Sequence, residues 1–422
     1  MVTSCNVVPI AAGLHGPQAI ASLVAAMRPA LERAGATLVE SVEKAHPSLP
    51  MAVLVLTGGT EQVVLNTWAA RQQFLPGEPL LLITHPGHNS LPAALEALAR
   101  LQRDGARGRI VMMPAAAALD GTPGAHDVHD DVLVDALHDL RVWHRLHRTR
   151  VGVLGAPSSW LVASVPDRDE VHRRWGITIL DANLPQALER FVENIDAPVA
   201  TPVYLSARRR DGEPHAAEVE TAARFEPVLR EVVTDLQLDA VTVRCFDLLT
   251  ESHTSGCVAL SAMNDNGVIA GCEGDVVSTI GLLWGKLFTG KVGWMANPAM
   301  ADRVTGRIEL AHCTVPLSMV SSYELHTHFE SGIGVGIAGT LPPGPVTLLR
   351  LGGPALDRLW CVDGEALPTA ARDGRCRTQL DVLVDPTAVG DLLDHPLGNH
   401  LVLLSGHHAQ RMSRWFADML PV

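Results

Sequence analysis

Short apolar runs that end in glycine-rich turns and then pass into amphipathic stretches fill the first half of the chain, and this alternation limits the fold more than any other feature. Residues 51–56 form a strand-like apolar run that ends in Thr57-Gly58-Gly59-Thr60-Glu61 and leads into a helical stretch from Gln62. Residues 79–83 repeat the run and residues 91–102 repeat the helix, with apolar side chains at helical spacing; residues 109–113 give a further strand. Strand, turn and helix in that order predict a doubly wound, mostly parallel sheet. Ligands of such sheets sit at the carboxyl ends of strands. The Thr57–Glu61 turn and His85-Pro86-Gly87-His88-Asn89-Ser90 therefore point to a crevice.

A second unit of the same kind begins after the Arg- and His-rich stretch 141–147, with strands expected over 151–155, 176–180 and 238–246 and an exposed loop over 208–214. From about Ile337 the texture changes. Residues 345–351, 357–363, 377–384 and 400–405 are short strands separated by Gly and Pro, and a long helix returns only at 410–420. That pattern predicts an antiparallel barrel or sandwich. The expected organisation is an N-terminal α/β domain over 1–148, a second α/β domain over 149–305, and a mostly β, barrel-like domain with a final helix over 306–422.

Length and charge agree with several domains and exclude some functions. A chain of 422 residues is too long for one core. Its net charge of −13 and the absence of a basic stripe argue against nucleic acid as a partner. Arg208-Arg209-Arg210 and 141–150 read as local solvated faces. The seven cysteines are odd in number and contain no C-x-x-C pair, which favours a reducing, cytoplasmic setting over a disulfide framework. No signal peptide and no membrane-spanning segment are expected.

Chemistry concentrates in the second half. Gly271-Cys272-Glu273-Gly274-Asp275, Ala311-His312-Cys313-Thr314 and Gly398-Asn399-His400 put two carboxylates and two imidazoles in three separated segments. Scattered oxygen and nitrogen donors of this kind suit a hard divalent cation such as Mn²⁺ or Mg²⁺ or a neighbouring first-row metal. Plainer roles stand beside these. Glu273 or Asp275 could cap a helix opening at Val276. His312 could be a core histidine, and Cys272 and Cys313 read as buried packing residues.

These motifs, with Thr57-Gly58-Gly59-Thr60-Glu61, resemble the L-fucose/L-arabinose isomerase superfamily, and in particular its fucose isomerase-like members. The resemblance covers most of the chain and keeps the motif order. It implies two α/β domains followed by a barrel-like domain, a Mn²⁺ cofactor (with Mg²⁺ or Co²⁺ as alternatives), and a homo-oligomer, trimeric or hexameric. It implies Glu273, His312 and His400 as metal ligands, with His407 and His408 competing for the last place, and it puts Asn297 at a fourth metal position. The chain departs from the pattern at Asn297, where the sugar isomerases carry a second metal-binding carboxylate; an amide offers one neutral carbonyl oxygen.

An aldose–ketose isomerase moves a proton between C1 and C2, which a Lewis-acid metal and a carboxylate can support together. Glu273 and Asp275 are the expected catalytic pair, on one side of an extended segment. His326 and His328 share a side if their segment is a strand, facing a polyol or metal. Arg377, in the run Arg375-Cys376-Arg377-Thr378-Gln379, offers a bidentate clamp for an anionic substituent. With Gln379 and Asn399 these make up the expected substrate contacts. The expected function is isomerisation of a sugar, or of an anionic, for example sulfonated, sugar. A lyase or epimerase acting on a sugar derivative, or a sugar-binding protein without catalysis, are the alternatives.

Overall fold

The computed structural model describes residues 4–113, 126–193, 202–210 and 213–421. The chain forms two compact units, one of Met1–Leu146 with Arg414–Val422 and the other of His147–Ser413.

The first unit is a doubly wound parallel sheet. Its strands are β1 (Cys5–Ile10), β2 (Ala36–Leu38), β3 (Met51–Val55), β4 (Leu80–Thr84) and β5 (Gly108–Met112), in the order β2-β1-β3-β4-β5. Every residue of β3 and β4 is buried, as expected for central strands covered on both faces. The helix Ser90–Arg103 lays Ala93, Ala94, Ala97, Leu98 and Leu101 on this sheet, the apolar stripe that its sequence spacing predicts. The turns after β3 and β4 hold one another, because Gly58 N–H donates to the His88 carbonyl at 2.7 Å. Thr57 Oγ1 accepts from Ala12 N–H at 2.8 Å, tying in the segment after β1. The stretch 141–150, expected to be a solvated face, is partly interior: Arg141 donates to the Ala34 carbonyl at 2.7 Å and His144 is buried.

The second unit starts with another parallel sheet, of β6 (Arg150–Leu154), β7 (Thr178–Ala182), β8 (Ala240–Val243) and β9 (Ile269–Gly271), in the order β7-β6-β8-β9. The helix Val276–Thr289 follows β9 and is buried almost all round. It packs on the parallel sheet and on the barrel that comes next. The later strands are β10 (Trp294–Asp302), β11 (Arg307–His312), β12 (Ser322–His326), β13 (Gly336–Thr340), β14 (Gly344–Gly352), β15 (Arg358–Leu367), β16 (Thr378–Val384) and β17 (Leu401–Ser405). Six of them close an antiparallel barrel in the order β10-β11-β16-β15-β14-β17, while β12 and β13 pair as a separate ribbon. The barrel interior is an apolar cluster that includes Trp294, Ile308, Leu310, Leu348, Val382, Leu401 and Leu403.

Two expected boundaries move. The barrel begins at Trp294, inside the stretch expected to close the second α/β domain, because Trp294–Ala296 pair with Leu401–Leu403 of β17. The final helix Ala409–Met419 does not end in the barrel's unit. Its Trp415 is fully buried and donates from Nε1 to the Asp139 carbonyl at 2.9 Å, within the first unit. Of the loop expected over 208–214, Asp211 and Gly212 lie outside the described residues. No helix among the described residues is long and apolar enough to cross a membrane.

Candidate active site

β10 is the strand that gathers the site. Its first three residues pair with β17 on one edge, and its later residues, from Asn297, pair with β11 on the other. The changeover at Ala296 and Asn297 brings the start of β17, where His400 stands, near the end of β11, where His312 stands. The two imidazoles meet edge to face with ring centroids 5.4 Å apart. The third partner arrives from the parallel sheet. Beyond β9 the chain turns sharply through Glu273 (φ 61°) and Gly274 (φ 70°), both left-handed. Only glycine fits at 274, since a Cβ there would lie 2.5 Å from the Ala156 carbonyl oxygen.

Glu273, His312 and His400 are all buried, and one ligand atom from each lies within 4.8 Å of the others. Glu273 Oε1 is 3.4 Å from His400 Nε2 and 3.7 Å from His312 Nε2. Each ring is turned by a partner on its other nitrogen. His312 Nδ1 pairs with Thr314 Oγ1 at 2.9 Å, and His400 Nδ1 with Asp275 Oδ2 at 2.8 Å. Both Nε2 atoms therefore face Glu273, and His400 Nε2 is buried without a well-formed hydrogen bond. This is how metal-binding histidines are usually oriented. His407 and His408 are engaged elsewhere, with the Gly364 and Ser405 carbonyls, so His400 is the C-terminal imidazole of the group.

Charge follows from this packing. Burial acts against the charged form of Glu273, yet His312 and His400 outweigh it and hold the carboxyl well below the usual carboxylate range. Burial likewise opposes the Asp275 charge, and Arg350 and His400 overcome it, so this carboxyl too is held low. Burial would depress His400, but Asp275 and Glu273 raise it to about 9.

The expectation that Glu273 and Asp275 share one side of an extended segment does not hold, because the left-handed turn separates them. They approach the His400 ring at opposite nitrogens instead. Asp275 is fully buried and caps the helix Val276–Thr289 by accepting from Ser278 N–H at 2.8 Å. Its Oδ2 accepts from Ser278 Oγ and from Arg350 Nη1 in addition to meeting His400. The cap and the site are thus one residue, and no free edge of Asp275 is left for a substrate.

The other expected positions are placed as follows. Asn297 lies on β10 at the changeover, and its Oδ1 accepts from the exposed Asn399 Nδ2 at 3.4 Å. His328 pairs through Nδ1 with Ser331 Oγ at 3.0 Å and meets the Phe246 ring edge-on at 5.7 Å. Arg377 donates from Nε to the Thr327 carbonyl at 2.8 Å and lies over the Phe329 ring at 5.6 Å. His326, Arg377 and Gln379 line a cavity of about 940 Å³ together with Arg208 and Arg210. The Gln379 amide, on β16, is used on Arg372 and Cys376 backbone groups of the loop before that strand. Two neighbours of the group had no sequence signal. Trp160 donates from Nε1 to Glu273 Oε2 at 2.6 Å and stacks edge-on against Phe246 at 4.9 Å; Arg350 reaches Asp275 from β14. Cys272 packs against Cys245, with Sγ atoms 2.8 Å apart; that neighbour and burial hold the Cys272 thiol well above its usual range.

A parallel sheet that feeds a closed antiparallel barrel, with a glutamate and two histidines converging where they meet, agrees with the resemblance to the L-fucose/L-arabinose isomerase superfamily. The chain is similar to sulfoquinovose isomerases. It is 23% identical to that of Alkalicoccus urumqiensis over 237 residues, 53% of this chain and 52% of the relative. It is 22% identical to those of Priestia aryabhattai and Priestia megaterium over 243 residues, 56% of this chain and 54% of each relative. The chain thus spans about half the length of the curated relatives it matches. No protein-family model matches it.

Proposed function

We propose that the protein is a metal-dependent ketol isomerase that interconverts a sulfonated aldose and its ketose. The observation that carries this reading is the convergence of Glu273, His312 and His400. One carboxylate and two imidazoles suit Mn²⁺, with Mg²⁺ or Co²⁺ as alternatives. The fit is supported by His400 Nε2, a buried nitrogen that lacks a good protein partner and faces Glu273. When bound, the cation supplies Lewis-acid polarisation of neighbouring oxygens on the sugar.

The chain's own residues supply the rest. Thr314 and Asp275 hold the two rings so that their Nε2 atoms face inward. Trp160 fixes one oxygen of Glu273. With Asp275 closed off, moving the proton between C1 and C2 falls to Glu273, which keeps slight exposure. Asn297 is proposed as a further metal donor through its amide oxygen, and Asn399, which donates to it, is proposed to meet the sugar at the changeover of β10. His326, His328, Arg377 and Gln379 are proposed to form the side that meets the sulfonate. Arg377 is held by Thr327 and Phe329, which flank His328 in sequence; His328 faces Phe246, Phe246 faces Trp160, and Trp160 reaches Glu273. The sulfonate itself is suggested by the relatives' name and by this arginine. A homo-oligomer in the cytoplasm completes the proposal, with light scattering as the check on a trimer or hexamer.

The decisive experiment combines metal analysis with incubation of sulfoquinovose in D₂O. The expected result is a bound divalent ion, a ketose product and deuterium at C1 or C2. Glu273→Gln and His400→Ala should each lower turnover by about 10²–10⁴-fold. Two fragments would indicate a lyase, and sugar binding with no conversion would indicate a sensor; either result removes the isomerase reading.

A further inference from the structure

Behind the metal group lies a buried cation that the isomerase chemistry does not require. Arg350 on β14 is 1% exposed. Removing a guanidinium from water costs several kcal/mol, and a well-packed apolar side chain of similar volume is often as stable or more so. The residue is therefore poorly explained as a packing element. Two of its contacts, with Asp275 and with the Leu397 carbonyl, lie on the approach to His400. Nη1 donates to Ser278 Oγ at 2.6 Å and to Asp275 Oδ2 at 3.3 Å. Nη2 donates to Ser164 Oγ at 2.6 Å, and Nε donates to the Leu397 carbonyl at 3.4 Å.

Two of these contacts act on His400 by separate routes. The first runs through side chains: Asp275 Oδ2, which accepts from Arg350, is the same oxygen that meets His400 Nδ1. The second runs through backbone. Leu397 and Gly398 lead directly into His400, and Gly398 takes a φ of 148°. A Cβ at Gly398 would lie 2.2 Å from Arg350 Nη2. The glycine of the Gly398-Asn399-His400 motif is thus where the chain passes against the guanidinium face.

We infer that Arg350 is a positioning residue for the site: it fixes the Asp275 carboxylate and the Leu397–Gly398 backbone, and through them the His400 ring with Nδ1–H toward Asp275 and Nε2 toward Glu273. The role assigned to that ring rests on the metal-site reading above, whereas the ring's orientation does not. Arg350 touches neither metal nor sugar. It decides which nitrogen His400 presents.

The test uses the full chain with three substitutions, Arg350→Met, Arg350→Lys and Ser164→Ala. Mn²⁺ affinity is measured by titration, and the His400 tautomer is read in the metal-free protein by two-bond ¹⁵N–¹H correlation after histidine labelling, at a pH above the value of about 9 to which the ring is raised, where it is neutral. Arg350→Met should weaken Mn²⁺ binding by about 10–100-fold, the usual effect of losing a group that supports a ligand. It should also remove the Nδ1–H signature of His400. Arg350→Lys keeps a charge beside Asp275 but loses the fork to Ser164 and Leu397, so it should recover part of both. Ser164→Ala removes only the outermost contact and should give a smaller loss in a folded protein. A folded Arg350→Met with unchanged affinity and tautomer overturns the inference. If Arg350→Met does not fold, Lys and Ser164→Ala variants that match the parent in both readouts overturn it equally. If the parent binds no Mn²⁺, the metal reading fails, and the tautomer measurement still decides whether Arg350 sets the ring.

Discussion

At the scale of single residues, Glu273 is held from two sides. Its Oε1 faces two imidazoles, while Oε2 accepts a hydrogen bond from Trp160, which is itself half exposed at 50%. A hydrogen bond to a charged group is worth about 1.5–3 kcal/mol, toward the lower end where water competes. Trp160→Phe keeps an aromatic ring against Phe246 and removes only the N–H. Turnover should fall about tenfold, since about 1.4 kcal/mol corresponds to that factor, with the melting temperature shifted by no more than about 2–3 °C. Steady-state kinetics beside a thermal melt would check this, and unchanged turnover would remove Trp160 from the site. The contrast between Glu273 and Trp160 also marks what a sequence can reveal. Glu273, His312 and His400 stand in compact polar motifs with glycine beside them or reactive groups next to them. Trp160 and Arg350 stand in ordinary-looking surroundings, and their roles exist only because distant segments meet. Asp275 was legible as a helix cap; that the same carboxylate also meets His400 could be seen only with β17 in place.

At the scale of elements, the parallel strands were the easiest to read, because β3 and β4 are continuous apolar runs bounded by turn residues. β9 is only three residues long, and β10 contains Asn297-Pro298 and pairs with a different partner on each edge. Neither periodicity nor composition exposes such strands, since β9 pairs with β8 across intervening elements and one edge of β10 pairs with the far-distant β17. β11 and β16 hold a further feature of this kind. Asp381 on β16 accepts from Arg372 at 2.8 Å and meets Arg307 of β11, while Glu309 of β11 accepts from Arg375 at 2.7 Å. Burial opposes the Asp381 charge, but Arg372 and Arg307 outweigh it and hold the carboxyl below its usual range. A carboxyl depressed in the folded state stabilises the fold fully above its unfolded value, near pH 4, and that contribution is lost as pH falls through the lower, folded value. Asp381→Asn should therefore cost about 1–2 kcal/mol at pH 7, discounted because both arginines are partly exposed. Its stability should then decline less steeply than the parent's below pH 4. Urea unfolding at several pH values measures both effects, and parallel curves for the two proteins would contradict the assignment.

At the scale of the whole molecule, the chain returns to its first unit at the end. Arg414–Val422 belong with Met1–Leu146, whereas the candidate metal group lies entirely in His147–Ser413. The alternation of elements along the sequence correctly suggested where the second sheet starts, but it could not assign the last helix, because helical spacing shows that a face is buried and not against what. The division has a thermodynamic consequence. A ligand stabilises only the cooperative unit that binds it, by about 2.7 kcal/mol at a hundredfold excess over Kd. Trp415 is fully buried in the first unit with its N–H on the Asp139 carbonyl, so Trp415→Ala should cost that unit about 3–5 kcal/mol. Scanning calorimetry of this variant should resolve an early transition that is insensitive to Mn²⁺ and a later one that Mn²⁺ raises. A single transition that moves as a whole with Mn²⁺ would mean that the two units unfold together, and the C-terminal return would then be a shared support of one cooperative fold rather than part of a separate one.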